Sequence, residues 1–250
     1  MTEATAAAIP IYAAQAGRGV DWITEGYALF RRAPGTWIGI LATWLLLSLV
    51  LAALKVQLLM SFLDPIFSAG IILGSRDLAS GGPLRVGHLF EAFRGDRVGS
   101  LLMVVLIQLG LALLIGAIAL VAVIVTMHGP FDLSTLERLS RLDPGVVEVV
   151  PILLGVLLVL ILGLPLMMLA WFAPALIILR GVPAWEAMKL SLQGCLQNWR
   201  PFSLYGLVGI ALLLVAALPL LLGLLVAIPV LAASVYTSYR DIYPEAPLSP

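Results

Sequence analysis

The sequence predicts an all-α, polytopic membrane protein: six transmembrane helices paired as three hairpins, each hairpin preceded by an amphipathic helix at the cytosolic interface. Three observations predict it. Of 250 residues, 62% are hydrophobic and 11% charged, and mean hydropathy is +1.10, whereas soluble domains carry about a quarter charged residues. Apolar runs at 36–75, 99–127, 151–179 and 202–239 reach or exceed the roughly 20 residues that cross a hydrocarbon core of about 30 Å. Lysine and arginine, finally, gather at alternate connectors, which sets orientation.

Residues 1–17, "MTEATAAAIPIYAAQAG", read as a mobile cytosolic tail rather than a leader, because Glu3 stands where a leader is basic and Pro10 interrupts the alanines. The first interfacial helix is expected at 20–32, with Val20, Ile23, Tyr27 and Phe30 on one face and Asp21, Thr24 and Glu25 on the other. The run 36–75 is too long for one span. Lys55 and Gln57, flanked by Leu54 and Leu58, mark a turn and divide it into spans at 36–54 and 58–75. A shorter amphipathic helix follows at 86–94, "VGHLFEAFR". The runs 99–127 and 151–179 read as single helices that tilt or protrude, since each reaches about 43 Å. In the outer segment joining them, Ser134 and Glu137 form a capping-box pattern and Asp143–Pro144 a stop, so a short helix is expected there. The third interfacial helix is expected at 184–199: Trp185, Met188, Leu192, Leu196 and Trp199 recur on one face, and Glu186, Lys189, Gln193, Gln197 and Arg200 on another. Pro219 and Gly223 divide the last run into spans at 202–218 and 223–239. Residues 18–243 thus form one transmembrane domain, and 244–250 a second cytosolic tail.

With both termini inside, the inner connectors hold Arg18, Arg31, Arg32, Arg76, Arg85, Arg94, Arg97, Arg180, Lys189, Arg200 and Arg240, against Lys55, Arg138 and Arg141 outside. Arg31, Arg76, Arg94, Lys189, Trp199, Arg200 and Arg240 are the expected anchors at lipid headgroups, because cations at helix C-termini complement the dipole and meet anionic lipid. An aromatic–arginine pair ends each connector: Phe30–Arg31, Phe93–Arg94 and Trp199–Arg200. Spans two and six also echo one another, Pro65 with Pro229, Ala69 with Ala233, Arg76 with Arg240 and Asp77 with Asp241. The chain therefore reads as three repeated units.

Asp64 is the one carboxylate expected at membrane depth. It lies 12 residues before Arg76, about 18 Å along a straight helix. Its cost of roughly 2.5–3.5 kcal/mol is outweighed by apolar neighbours. Three readings stay open: a proton or cation site, a bond to backbone freed by Pro65, or a position nearer the outer headgroups. His88 and His128 have no His, Cys or carboxylate at metal spacing, so no metal or other cofactor is expected. Net charge is zero, which argues against nucleic acid. No phosphate-binding, zinc-protease, nucleophile-elbow or dinucleotide motif is present.

The order "DPIFSAGIILGSRDL", "GHLFEAFR", "FAPALIILRGVPAWEAMKLSLQGCLQNW" and "YRDIY" resembles a family of uncharacterised bacterial inner-membrane proteins with six predicted spans. More distantly it is similar to YciC-like proteins and to the membrane portion of some glycerophosphodiester phosphodiesterases. The resemblance implies the inner membrane of a Gram-negative bacterium and brings no catalytic residue with it. The leading expectation is a non-catalytic protein that organises membrane lipids, anionic headgroups above all, or a protein partner, which includes a second copy of itself. The alternatives are a small transporter or channel using kinked spans and Asp64, and a lipid-modifying enzyme.

Overall fold

The computed structural model describes residues 9–128 and 145–244, and every regular element among them is helical. In chain order these are α1 (Arg18–Arg32), α2 (Pro34–Ala53), α3 (Leu58–Ala79), a 3₁₀ helix (Val86–Arg94), α4 (Val98–His128), α5 (Gly145–Trp171), α6 (Ala173–Arg180), α7 (Ala184–Gln197), α8 (Trp199–Ala217) and α9 (Leu224–Ile242). Five stretches are long and apolar enough to cross a membrane: Pro34–Ala53, Leu58–Ala79, Val98–Val125, Ile152–Arg180 and Trp199–Ala217. α9, expected as the sixth, falls outside that group. Its last turns carry Ser234, Thr237, Ser238, Arg240 and Asp241, which dilute its hydropathy. The helix expected around Ser134 and Glu137, and the side chain of His128, lie outside the described residues.

The turn between α2 and α3 falls at Lys55, which takes a left-handed backbone (φ 58°). α8 and α9 are separated by residues 218–223, where Leu220 and Leu221 also have positive φ. The run 151–179 is not the single helix expected. It breaks at Phe172, between α5 and α6, because Pro174 lacks an N–H and its ring disfavours the preceding turn. Ser191 of α7 fills the gap: its hydroxyl accepts the Phe172 N–H at 2.8 Å and donates to the Met168 carbonyl at 2.6 Å. Residues 86–94 likewise form a 3₁₀ helix rather than an α-helix, as short connectors often do.

Three shorter elements each pack against a longer helix. The 3₁₀ helix lies on α3, α7 on α5, and α1 closes the cycle on α9. α3 in turn touches α6 and α9, which places it between them. The core there is large and aromatic, with Trp22, Trp37, Phe67, Phe172 and Tyr243 almost wholly buried. α1 is rotated relative to expectation: Trp22, Ile23, Gly26, Leu29 and Phe30 face inward, while Val20 and Tyr27 are exposed. Glycine does not register as apolar in a periodicity count, yet Gly26 lets α1 approach the backbone of α9.

Residues 9–17 are not the mobile tail expected of them. Tyr12 N–H donates to the Ile242 carbonyl at 2.9 Å, and Ile9, Ile11 and Ala14 pack against the core. Asn198, 1% exposed, accepts the Ala14 N–H at 2.7 Å and donates to the carbonyls of Tyr12 and Gly194, both at 3.0 Å.

Candidate functional site

Charged residues at the C-terminal ends of α3, α6 and α9 form the polar end of the bundle. Arg32 donates to the Leu78 carbonyl at 3.0 Å, Arg97 to the Ile177 carbonyl at 2.6 Å, and Arg180 to the carbonyls of Tyr243 and Pro244, both at 2.8 Å. At Leu78 and Ile177 the guanidinium adds a second bond to carbonyls that already accept the N–H of Gly81 and Gly181, a cation at the negative end of each helix. Much of the positive charge seen in the sequence therefore clasps the fold itself.

The tightest clasp joins α1 to α9. Asp241 accepts from Arg18 Nε at 2.8 Å and Trp22 Nε1 at 2.9 Å. Glu25 pairs with Arg18 at 3.0 Å and Arg240 at 2.7 Å, and Thr237 Oγ1 donates to the Trp22 carbonyl at 2.9 Å. Burial works to raise the Asp241 pKa, but the bonds from Arg18 and Trp22, with the charges of Arg18 and Arg240, hold it below the ordinary carboxylate value. The same Asp241 bond raises Arg18, which stays charged throughout. A depressed carboxylate adds stability above its unfolded pKa, about 4, and that stability is lost as pH falls through the depressed folded value. Asp241→Asn is expected to cost about 2 kcal/mol at neutral pH and to flatten the loss of stability below pH about 4. Thermal unfolding followed by thiol labelling checks both points. Cys195, the sole cysteine, is 2% exposed, and burial pushes its thiol up to about 12, so it reacts only when α7 opens.

The expected anchors divide. Arg240 is committed to Glu25, Arg76 lies 3.5 Å from Asp77, and Lys189 pairs with Glu186 at 2.7 Å. The Arg31 guanidinium stands 5.9 Å above the Tyr27 ring and that of Arg200 5.4 Å above Trp199. Arg94 ends the 3₁₀ helix. His88, read from sequence as unremarkable, is buried: its Nδ1 accepts the Arg85 N–H at 2.9 Å, and its Nε2 lies 3.3 Å from Asp77 and 3.5 Å from Glu91. It ties the 3₁₀ helix to α3.

α7 presents three faces. Ala187, Met188, Ser191 and Cys195 are buried in protein, while Trp185 and Leu196 point outward, as does Trp199 at the start of α8. Glu186 and Lys189 lie along the third. Beside α7 a cleft of about 550 Å³ opens between α5 and α8, lined mainly by apolar side chains with Trp171 and Phe202 among them.

Asp64 is exposed on α3 and accepts a bond from Trp44 Nε1 of α2 at 3.0 Å. It lines neither the α5–α8 cleft nor the apolar pocket that Trp44 shares with Trp37 and Pro229. Among the described residues, no three His, Cys, Asp or Glu side chains are placed to share a metal ion.

No family model matches the chain, and no solved structure matches it. A protein of Burkholderia thailandensis described as a "probable inner membrane protein" is 28% identical over 222 residues, which cover 87% of this chain and 80% of the relative. With its apolar helices of spanning length, the chain is a transmembrane protein similar over most of its length to one named for the inner membrane.

Proposed function

We propose that the chain is a six-span protein of the bacterial inner membrane, with both termini in the cytosol, that works without catalysis by organising anionic lipid or a partner protein at its arginine-rich face. The observation that carries this reading is α7. One face is locked into the protein while Trp185 and Leu196 project outward with Lys189 on the same helix, and Trp199 and Arg200 carry that exposed surface onto the first turn of α8. An interfacial helix needs that combination, apolar rings for the acyl boundary and cations for headgroups. The cyclic packing of the amphipathic elements supports three hairpin units, with α9 as the sixth span against α2, α3 and α8. The resemblance to YciC-like proteins and to phosphodiesterase membrane portions belongs to the same reading.

In nanodiscs holding equal phosphatidylglycerol and phosphatidylcholine, native mass spectrometry of released complexes should show phosphatidylglycerol enriched. The triple variant Arg94→Gln, Lys189→Gln, Arg200→Gln should lower that enrichment about tenfold or more, since each cation near the surface contributes about 1 kcal/mol. Equal retention of both lipids by the wild type would sink the proposal.

The transporter reading depends on Asp64, and the Trp44 bond speaks for a structural role instead. Asp64→Asn keeps an acceptor for Trp44 and should change stability by less than about 0.5 kcal/mol. Proton flux in proteoliposomes should be equal for wild type and variant; a flux abolished by the substitution would favour transport.

A further inference from the structure

We infer that the cleft between α5 and α8 holds one anionic phospholipid, an acyl chain lying in the cleft and the phosphate at Arg200. This deepens the lipid-organising reading and rests on it. The cleft's volume of about 550 Å³ falls within the roughly 300–1,000 Å³ of ligand sites, and its wall of Leu164, Met167, Met168, Phe202 and Ile210 suits a hydrocarbon chain. α5 and α8 meet through aromatic contacts, with the Trp171 ring 6.0 Å from those of both Phe202 and Tyr205.

Charge decides the kind of lipid. Trp199 lines the cleft and carries the Arg200 guanidinium over its ring. Among the described residues no carboxylate lies within ion-pair distance of Arg200, unlike Arg18, Arg76, Arg240 and Lys189. A phosphate is the complement this cation lacks.

The wall supplies a second need. Trp171 Nε1 is buried with no hydrogen-bond partner, and an unmet indole donor away from water is unfavourable. A lipid ester carbonyl supplies the acceptor when the ring turns toward the cleft. The nearby thiol of Cys195 stays protonated, so the site binds and does not react.

Gly206 makes the test clean, because it lines the cleft and a Cβ built on it meets nothing within 4 Å. A phenylalanine there fills the acyl site while the rim cations remain. The probe is a phosphatidylglycerol with a diazirine at mid-chain, incorporated in phosphatidylcholine nanodiscs with the full-length protein. Photolysis of the wild type should label peptides containing Met167–Trp171 or Phe202–Ile210. Unlabelled phosphatidylglycerol should compete about fivefold better than phosphatidylcholine, the discrimination expected of one cation. Arg200→Gln should erase that preference, and Gly206→Phe should abolish the cleft labelling while rim enrichment of phosphatidylglycerol persists. Labelling of the wild type spread evenly over outward residues such as Leu46 and Leu49 would overturn the cleft, and needs no variant to fold. So would loss of a dimer in Gly206→Phe with lipid labelling unchanged, which would make the occupant a second copy. Rim enrichment without cleft labelling refutes this inference alone; absence of both refutes the broader proposal.

Discussion

Ser191→Ala is expected to destabilise the protein by about 3 kcal/mol, because it strips the buried Phe172 N–H of its acceptor and leaves the half-buried Met168 carbonyl only the long contact with Cys195 Sγ at 3.8 Å. In an unbroken helix Phe172 N–H would bond the Met168 carbonyl directly. Here the Ser191 hydroxyl stands between them, accepting from one at 2.8 Å and donating to the other at 2.6 Å. Ser191 is fully buried, and Phe172 with its neighbours Ala173 and Ala175 is equally enclosed, so a methyl group in its place offers no bond. For a chain of this size the loss corresponds to a fall of roughly 6–12 °C in the thermal midpoint. Thiol labelling of Cys195, one turn along α7, reads that midpoint directly. The double variant Ser191→Ala, Pro174→Ala should recover part of it, since the new N–H lets the helix continue through the break. A midpoint unchanged in Ser191→Ala would mean that the bridge is incidental to the join between α5 and α6.

How much of this was legible in the sequence depends on whether a feature is local. The turn at Lys55 and the separation of 202–239 near Pro219 and Gly223 were readable, because polar or helix-breaking residues interrupt apolar runs and act where they stand. The break at Phe172 was half legible. Pro174 was visible, but its acceptor, Ser191, lies on another helix. The inward face of α1 was misread, since Gly19 and Gly26 contribute by being small and a count of apolar residues passes over them. Asn198 gave no signal at all: its partners, Tyr12 and Ala14, are more than 180 positions away. The cations were misjudged in the same way. Position near a helix end marks Arg76, Lys189 and Arg240 as headgroup anchors, and only tertiary geometry shows Asp77, Glu186 and Glu25 beside them. Arg200 is the instructive contrast: the Trp199 ring carries its guanidinium, and among the described residues no carboxylate pairs with it.

Gly26→Leu should be more damaging still, at about 4 kcal/mol or more, because it combines overpacking with the loss of hydrogen bonds. A Cβ on Gly26 would stand 2.6 Å from the Val230 carbonyl oxygen and 3.0 Å from Ser234 Cβ. Backbone at that distance cannot turn aside as a side chain can, so α1 must lift from α9. Lifting breaks the bonds that fix the helix, Trp22 Nε1 to Asp241 at 2.9 Å and Thr237 Oγ1 to the Trp22 carbonyl at 2.9 Å. It also uncovers Trp22, which is fully buried. Because α1 is the first helix described and α9 the last, this interface joins the two ends of the fold. Its failure should loosen the connection between first and last spans while α4, α5 and α7 stay packed. Hydrogen exchange should then rise in 18–32 and 224–242 well before 184–197. Gly17→Ala is the matched control, since a Cβ there meets nothing within 4 Å and should leave both exchange and midpoint as they were. If the two variants behaved alike, close approach at Gly26 would not be what holds α1 in place, and the cyclic arrangement would lose its closing contact.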